Sequence, residues 1–147
     1  MKRFRGRIIA PGKATAPALV STQTVDASGA FRKALESGDK KVTCADKKQT
    51  ELYKKAMAGK ALCIPRFSGS DTDGLTLYCI CTKEIRPACI LLSEPIDVLS
   101  ASGAIMASIW LEQGRMPVID SLGETFLQYV KNEMTVSVDE DGIVCIS

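Results

Sequence analysis

Ala61-Leu62-Cys63-Ile64-Pro65-Arg66-Phe67-Ser68-Gly69-Ser70-Asp71-Thr72-Asp73-Gly74 is the stretch on which the reading of this chain turns. Its first half is an apolar run closed by proline, the composition of a buried strand. Its second half is small, polar and punctuated by glycine, the composition of a loop. The residues that follow, 75–83, fit two periods. Their Thr, Tyr, Cys and Ile content favours a strand, whereas Leu75, Tyr78, Cys79 and Thr82 recur at helical spacing. In the helical case the loop delivers backbone N–H groups and small hydroxyls to a helix N-terminus, an arrangement that attracts anions. Glycine at 69 and 74 allows close approach and positive φ.

Outward from this segment, the chain alternates strands and helices. Upstream, Arg7-Ile8-Ile9 and Ala18-Leu19-Val20 read as short strands around the turn Pro11-Gly12-Lys13. Residues 22–60 are polar and rich in lysine and alanine. Residues 30–36 read as a short helix closed by Gly38. Residues 46–58 read as a longer one, with Leu52, Tyr53, Ala56 and Met57 on one face, Asp46 as N-cap and Gly59 beyond the end. Downstream, residues 87–92 read as a buried strand and 95–113 as a long helix with Val98, Ala101, Ile105 and Ile109 on one face. Pro95 suits its first turn, and Gly114 lies past its end. Residues 116–119 form a further strand, 123–131 a helix, and 135–138 with 143–146 a closing hairpin around Asp139-Glu140-Asp141-Gly142. Helices between strands imply an α/β layer with parallel pairing in the second half, supplemented by antiparallel hairpins at both ends. The expected fold class is α/β in a single domain over residues 1–147.

Composition narrows the function. Apolar residues make up 46% and charged residues 24% of 147 residues, ordinary for a globular domain able to bury a core. No apolar stretch reaches bilayer length. The basic opening Met1-Lys2-Arg3-Phe4-Arg5-Gly6-Arg7 lacks the apolar segment of a signal peptide, so the expected location is cytoplasmic. The net charge of +2 is spread, and the few aromatics do not sit among the lysines, which argues against a nucleic-acid surface. Six cysteines occur without a Cys-x-x-Cys and without a histidine anywhere, so neither a disulfide framework nor a metal or iron–sulfur site of this chain's own is expected. Among Leu, Ile and Ala they read as small buried hydrophobes.

The loop at 68–74 is where chemistry is expected. A carboxylate or phosphate suits its donors, and in a desolvated site near cations a serine alkoxide accepts a proton α to a carboxylate. Clusters of Ser, Asp, Thr and Gly also make ordinary turns and caps. Asp71 and Asp73 oppose an anion unless they turn away or cap the helix. A Walker phosphate loop is excluded, because no Gly-Lys-Ser/Thr follows. Glu94 and Asp97 open the long helix and complement its dipole. Met106 and Trp110 near its end read as core or subunit interface.

Several segments in order resemble the aconitase X swivelling-domain family: Gly6-Arg7-Ile8-Ile9-Ala10-Pro11-Gly12-Lys13-Ala14; residues 61–74; Pro87-Ala88-Cys89-Ile90-Leu91-Leu92-Ser93-Glu94-Pro95; Ser102-Gly103-Ala104-Ile105-Met106-Ala107; Met116-Pro117-Val118-Ile119 with Leu122-Gly123-Glu124; and residues 136–142. The resemblance covers roughly two-thirds of the chain. It implies a swivelling β/β/α domain, a mixed sheet with a barrel-like core and flanking helices, and a helix over 75–83. It also implies the role of small subunit in a hydro-lyase whose separate large subunit carries an iron–sulfur cluster, this chain binding no cofactor alone. Family activities include dehydration of cis-3-hydroxy-L-proline and of mevalonate 5-phosphate, the first being the expected substrate here. The family's proton-accepting serine corresponds to Ser70, with Ser68, Gly69, Asp71 and Thr72 shaping the substrate pocket. The family's basic residue before the glycine is replaced by Ser68, for which Arg66 is the expected substitute. Asp71-Thr72-Asp73 stands where Gly, Ser and Thr are usual, and Val25-Asp26 is what remains of a Gly-Gly-Val-Asp segment. A non-catalytic binding domain on the same fold is the alternative that these departures favour.

Overall fold

Side chains alternate between the two faces of a strand, and in the central strands of this protein both faces are covered. The computed structural model describes residues 1–147. Strands β1 (Lys2–Arg5), β2 (Arg7–Ala10) and β3 (Ala14–Val20) lead into helices α1 (Ala27–Ala30) and α2 (Arg32–Ser37). Then follow β4 (Ala61–Ile64), α3 (Asp73–Thr82), β5 (Cys89–Leu92), α4 (Val98–Trp110), β6 (Val118–Asp120), α5 (Glu124–Tyr129), β7 (Thr135–Val138) and β8 (Ile143–Ile146). They form one eight-stranded sheet in the order β1-β8-β7-β3-β4-β5-β6-β2. The pairs β3–β4, β4–β5 and β5–β6 are parallel, as α/β crossovers require. The outer pairs are antiparallel.

The faces of the sheet define two cores. Leu62, Ile64, Ile90, Leu92 and Val118 point to a core of 23 buried residues that includes Phe31, Phe67, Leu77 and Ile80 under the helices. Their neighbours Ala61, Cys63, Cys89, Leu91 and Ile119 point to a second core of 14, with Phe126, Val136, Val144 and Ile146. β1 and β2 are the two edges of the sheet, yet only Gly6 separates them, so the chain ties the edges together and nearly closes a barrel. The Gly6 N–H donates to the Gly142 carbonyl at 3.2 Å. A Cβ at Gly6 would lie 2.5 Å from the Asp120 carbonyl oxygen, so no side chain fits at this seam. Beside it, the Arg7 guanidinium donates to both oxygens of Asp120, at 3.0 and 2.6 Å. The fully buried Asp120 carboxylate also accepts the Ile96 N–H at 2.7 Å, which ties β6 to the approach of α4.

Much of the expected layout is present. Gly38 ends α2 in the left-handed conformation, with its N–H on the Ala34 carbonyl. Residues 75–82 are helical, β5 and α4 follow, and the C-terminal hairpin closes as expected. Four features differ. β2 and β3 do not pair with each other; β2 pairs with β6, and β3 lies between β4 and β7. β1 was not legible as a strand, because its partner is β8 at the far end of the chain. Residues 46–58 are not a helix: Cys44 donates to Lys55, Lys54 to Cys44 and Met57 to Val42, so the segment folds back on residues 42–44 by turns. Leu52 and Met57 are still buried, so burial is met by tertiary pairing instead of helical periodicity. Finally, α4 begins at Val98, capped by Asp97 accepting the Ser100 N–H at 2.9 Å, and the face carrying Val98, Ile105 and Ile109 is turned outward. Its inward face is Ser100, Gly103, Ala104 and Ala107.

Cys44, Cys63, Cys81 and Cys89 are buried, Cys79 and Cys145 half-buried, and none is bonded to another. Burial pushes the Cys81 thiol up to about 11 and that of Cys89 up to about 12. It also raises Cys44, and Cys63 further still, with Cys89 adding to the effect on Cys63. A thiolate-selective disulfide reagent at pH 8 is therefore expected to modify Cys79 and Cys145 in the folded protein and all six after denaturation. Rapid modification of Cys63 or Cys89 in the native state would contradict this core.

Candidate active-site loop

The parallel strands β4 and β5 end side by side, and loops at the carboxyl ends of such strands are the usual ligand-binding edge of α/β sheets. Ser93 and Glu94 donate their N–H groups to Ile64 and Pro65, which brings the turn after β5 against the loop after β4. From the other side, Val25 forms a parallel bridge with Phe67: the Val25 N–H reaches the Arg66 carbonyl at 3.0 Å and the Ser68 N–H the Val25 carbonyl at 2.8 Å. Two segments far from it in sequence thus pack against the chain that leaves β4.

At their centre is Asp73, the first residue of α3, fully buried. Its Oδ1 accepts the Ser70 hydroxyl at 2.7 Å and, at 3.4 Å each, the Ser28 N–H and hydroxyl. Its Oδ2 accepts the Ser68 hydroxyl at 2.9 Å and the Gly69 N–H at 3.1 Å. Thr72, the N-cap residue, makes no side-chain cap; its hydroxyl bonds to that of Ser28 at 2.5 Å. Gly69 has φ +77, and a Cβ there would lie 3.3 Å from Cγ of Asp97, so left-handed backbone and crowding both call for glycine.

The expected site residues are therefore together. Ser70 is half-buried, Ser68, Asp71 and Thr72 are exposed, and Gly69 lies between them. The exposed Arg66 sends its carbonyl inward to Val25, and its guanidinium makes no hydrogen bond within the chain. Two points depart from expectation. The Gly69 N–H and Ser68 hydroxyl are occupied by Asp73, so the loop's anion cradle holds the chain's own carboxylate. The two acids also differ: Asp73 is inside the loop, while Asp71 stands at a groove of about 360 Å³ between α3 and α4, with Leu75, Tyr78, Leu99 and Met106. Sequence reasoning missed Ser28 altogether. It lies 45 residues from Asp73 and belongs to no local motif.

Asp26 adjoins this network. Burial, then the charge of Asp73 and a hydrogen bond with it, hold the Asp26 carboxyl above the usual carboxylate value, and the Gly29 N–H only partly offsets this. Its Oδ1 is buried without a partner. A raised carboxyl contributes its stability below the unfolded value near 4 and loses it as pH rises through the folded value. Asp26→Asn is therefore expected to raise the melting temperature at pH 7.5 and to leave it unchanged at pH 3.5. Equal effects at both pH values would contradict the repulsion.

One apolar surface lies beside the loop. Val98 (79% exposed), Leu99, Ile105, Ile109 and Trp110 on α4, with Leu75 on α3, are open to solvent. Trp110 meets Tyr78 edge-on at 6.4 Å and is 65% exposed, so it is not core. No helix is long and apolar enough to cross a membrane. No three His, Cys, Asp or Glu side chains converge as metal ligands.

Comparison with known proteins agrees with this fold. The model of the aconitase X swivel domain matches residues 3–146. The phosphomevalonate dehydratase small subunit of Methanothermobacter thermautotrophicus is 33% identical over 137 residues, covering 92% of each chain. That of Methanocella arvoryzae is 30% identical over 139 residues, covering 93% of this chain and 92% of its own. The crystal structure of Thermococcus kodakaraensis aconitase X in its holo-form superposes with a TM-score of 0.80 at 26% identity, over 100% of this chain and 99% of that one. With a barrel nearly closed at Gly6 and helices flanking the strand ends that bear the Ser70 loop, the chain belongs to the aconitase X swivel-domain family.

Proposed function

We propose that this chain, as one swivelling domain over residues 1–147, is the small subunit of a hydro-lyase and dehydrates phosphomevalonate together with a larger subunit. The observation that carries this is the Ser70 loop at the ends of β4 and β5, in a chain sharing over nine-tenths of its length with two phosphomevalonate dehydratase small subunits. Those relatives favour phosphomevalonate over cis-3-hydroxy-L-proline. Cations for a phosphate are at hand: Arg66 is unpaired, and Arg32, Lys47 and Lys48 line a cleft of about 500 Å³ with Asp26 beside the loop.

Ser70 is the base. Its half-buried hydroxyl is aimed by Asp73, and Ser68, Gly69, Asp71 and Thr72 shape the surrounding pocket. An iron–sulfur cluster, for which no ligand set converges in this chain, belongs to the large subunit. The exposed apolar side chains of α4 continue from the loop, and a surface of this kind marks a protein interface. They support docking of the large subunit over the loop.

Tagged chain purified from its native cells without oxygen is expected to bring down one larger chain and iron. Trp110→Asp with Ile109→Asp is expected to weaken that association at least about tenfold, the loss of buried apolar anchors. Recovery of the chain alone and colourless at native expression would overturn the subunit reading.

A further inference from the structure

The carboxylate under the serine is more than a loop cap. Asp73 is fully buried, and the hydroxyls of Ser68, Ser70 and Ser28 and the N–H groups of Gly69 and Ser28 all donate to it. The donors on both oxygens lock its orientation, and the contact from Ser70 at 2.7 Å is the shortest of them. That contact points the Ser70 proton inward and leaves the Oγ lone pairs facing the open side of the loop. A serine base has to dispose of its own proton, and a hydrogen-bonded carboxylate is the acceptor that lets it do so without forming a free alkoxide.

We propose that Asp73 is the positioning residue of the dehydration, orienting Ser70 and receiving its proton. This rests on the assignment of Ser70 as base. In the step, the substrate C–H bond breaks and its electron pair forms the carbon–carbon double bond. The proton passes to Ser70 Oγ while the Ser70 proton passes to Asp73 Oδ1. Hydroxide leaves the adjacent carbon with the C–O electron pair and takes a proton from solvent. Asp73 afterwards returns its proton to solvent, so the net loss is one water. Around Asp73 stand the hydroxyls of Ser28, Thr72 and Thr76 and, across Gly69, Asp97, while the neighbouring Asp26 shares its cleft with Asp46 and with the cations Arg32, Lys47 and Lys48. Neither Asp73 nor Asp26 forms an ion pair.

The test is steady-state turnover of phosphomevalonate by the purified two-subunit complex, with kcat and KM resolved, for wild type, Asp73→Asn, Asp73→Glu and Ser70→Ala. Asp73→Asn is expected to lower kcat about 100-fold with KM little changed. Asp73→Glu keeps a carboxylate at this position and is expected to retain more turnover than Asp73→Asn; it also serves if Asp73→Asn fails to assemble. Wild-type kcat in Asp73→Asn, or Asp73→Glu no more active than Asp73→Asn, would overturn the proposal while an inactive Ser70→Ala leaves the base assignment standing. A fully active Ser70→Ala would overturn both.

Discussion

Ser70→Ala is expected to reduce turnover of the two-subunit complex about a thousand-fold, within the range for loss of a general base. It should leave assembly and melting temperature close to wild type. Ser70 is half-buried and its side chain makes a single hydrogen bond, to Asp73, which keeps its other donors from Ser28, Ser68 and Gly69. Removing the hydroxyl therefore costs the fold little and the chemistry its acceptor. The relevant comparison is with Thr72→Ala, which removes a neighbouring hydroxyl bonded to Ser28 and is expected to change kcat less than about tenfold. Comparable losses in the two variants would mean that loop order, not the Ser70 oxygen, had been disturbed.

Gly103→Ala is expected to be the most damaging single methyl in the protein. A Cβ at Gly103 would lie 1.8 Å from the Gly74 carbonyl oxygen, and one at Gly74 would lie 2.2 Å from that of Leu99. Both obstacles are backbone, which cannot rotate aside as a side chain does. The inward face of α4 is a stripe of small residues that lets α3 approach to backbone contact. Since α3 starts at Asp73, separating the helices drags the loop with it. Overpacking at the upper end of its usual range costs about 3 kcal/mol, which for a chain of this size lowers Tm by roughly 6–12 °C. Gly59→Ala is the control. It has φ +68 but nothing within 4 Å, so only backbone strain of about 1–2 kcal/mol applies. A Gly103→Ala variant melting with wild type would contradict the packing of α3 on α4.

The contrast between these glycines shows what a sequence makes legible. Ala61-Leu62-Cys63-Ile64 and Cys89-Ile90-Leu91-Leu92 read as buried strands because both faces are covered and no polar residue interrupts them. The C-terminal hairpin was legible from its turn. The existence of α4 was legible too, but not its facing. Val98, Ile105 and Ile109 look like a core stripe, yet close approach to α3 selects the small residues on the other side, and the larger ones are left for a partner. Residues 46–58 carry a helical period that pairing with residues 42–44 overrides. At the site, the glycines and hydroxyls of residues 68–74 mark the loop, the choice of Ser70 within it rests on family likeness, and Asp73 looked like an obstacle to anion binding. Its role as acceptor for the loop depends on Ser28 and on the Val25–Phe67 bridge, contacts that no local pattern encodes.

Reconstitution decides the assignment most directly. The chain and its larger partner are purified separately without oxygen, and loss of water from phosphomevalonate is followed for each alone and for the mixture. Turnover by the mixture and by neither component is the predicted result. Equal turnover by the large chain alone, or a stable complex inert toward phosphomevalonate, would contradict the assignment of this chain as the base-bearing small subunit of a phosphomevalonate dehydratase.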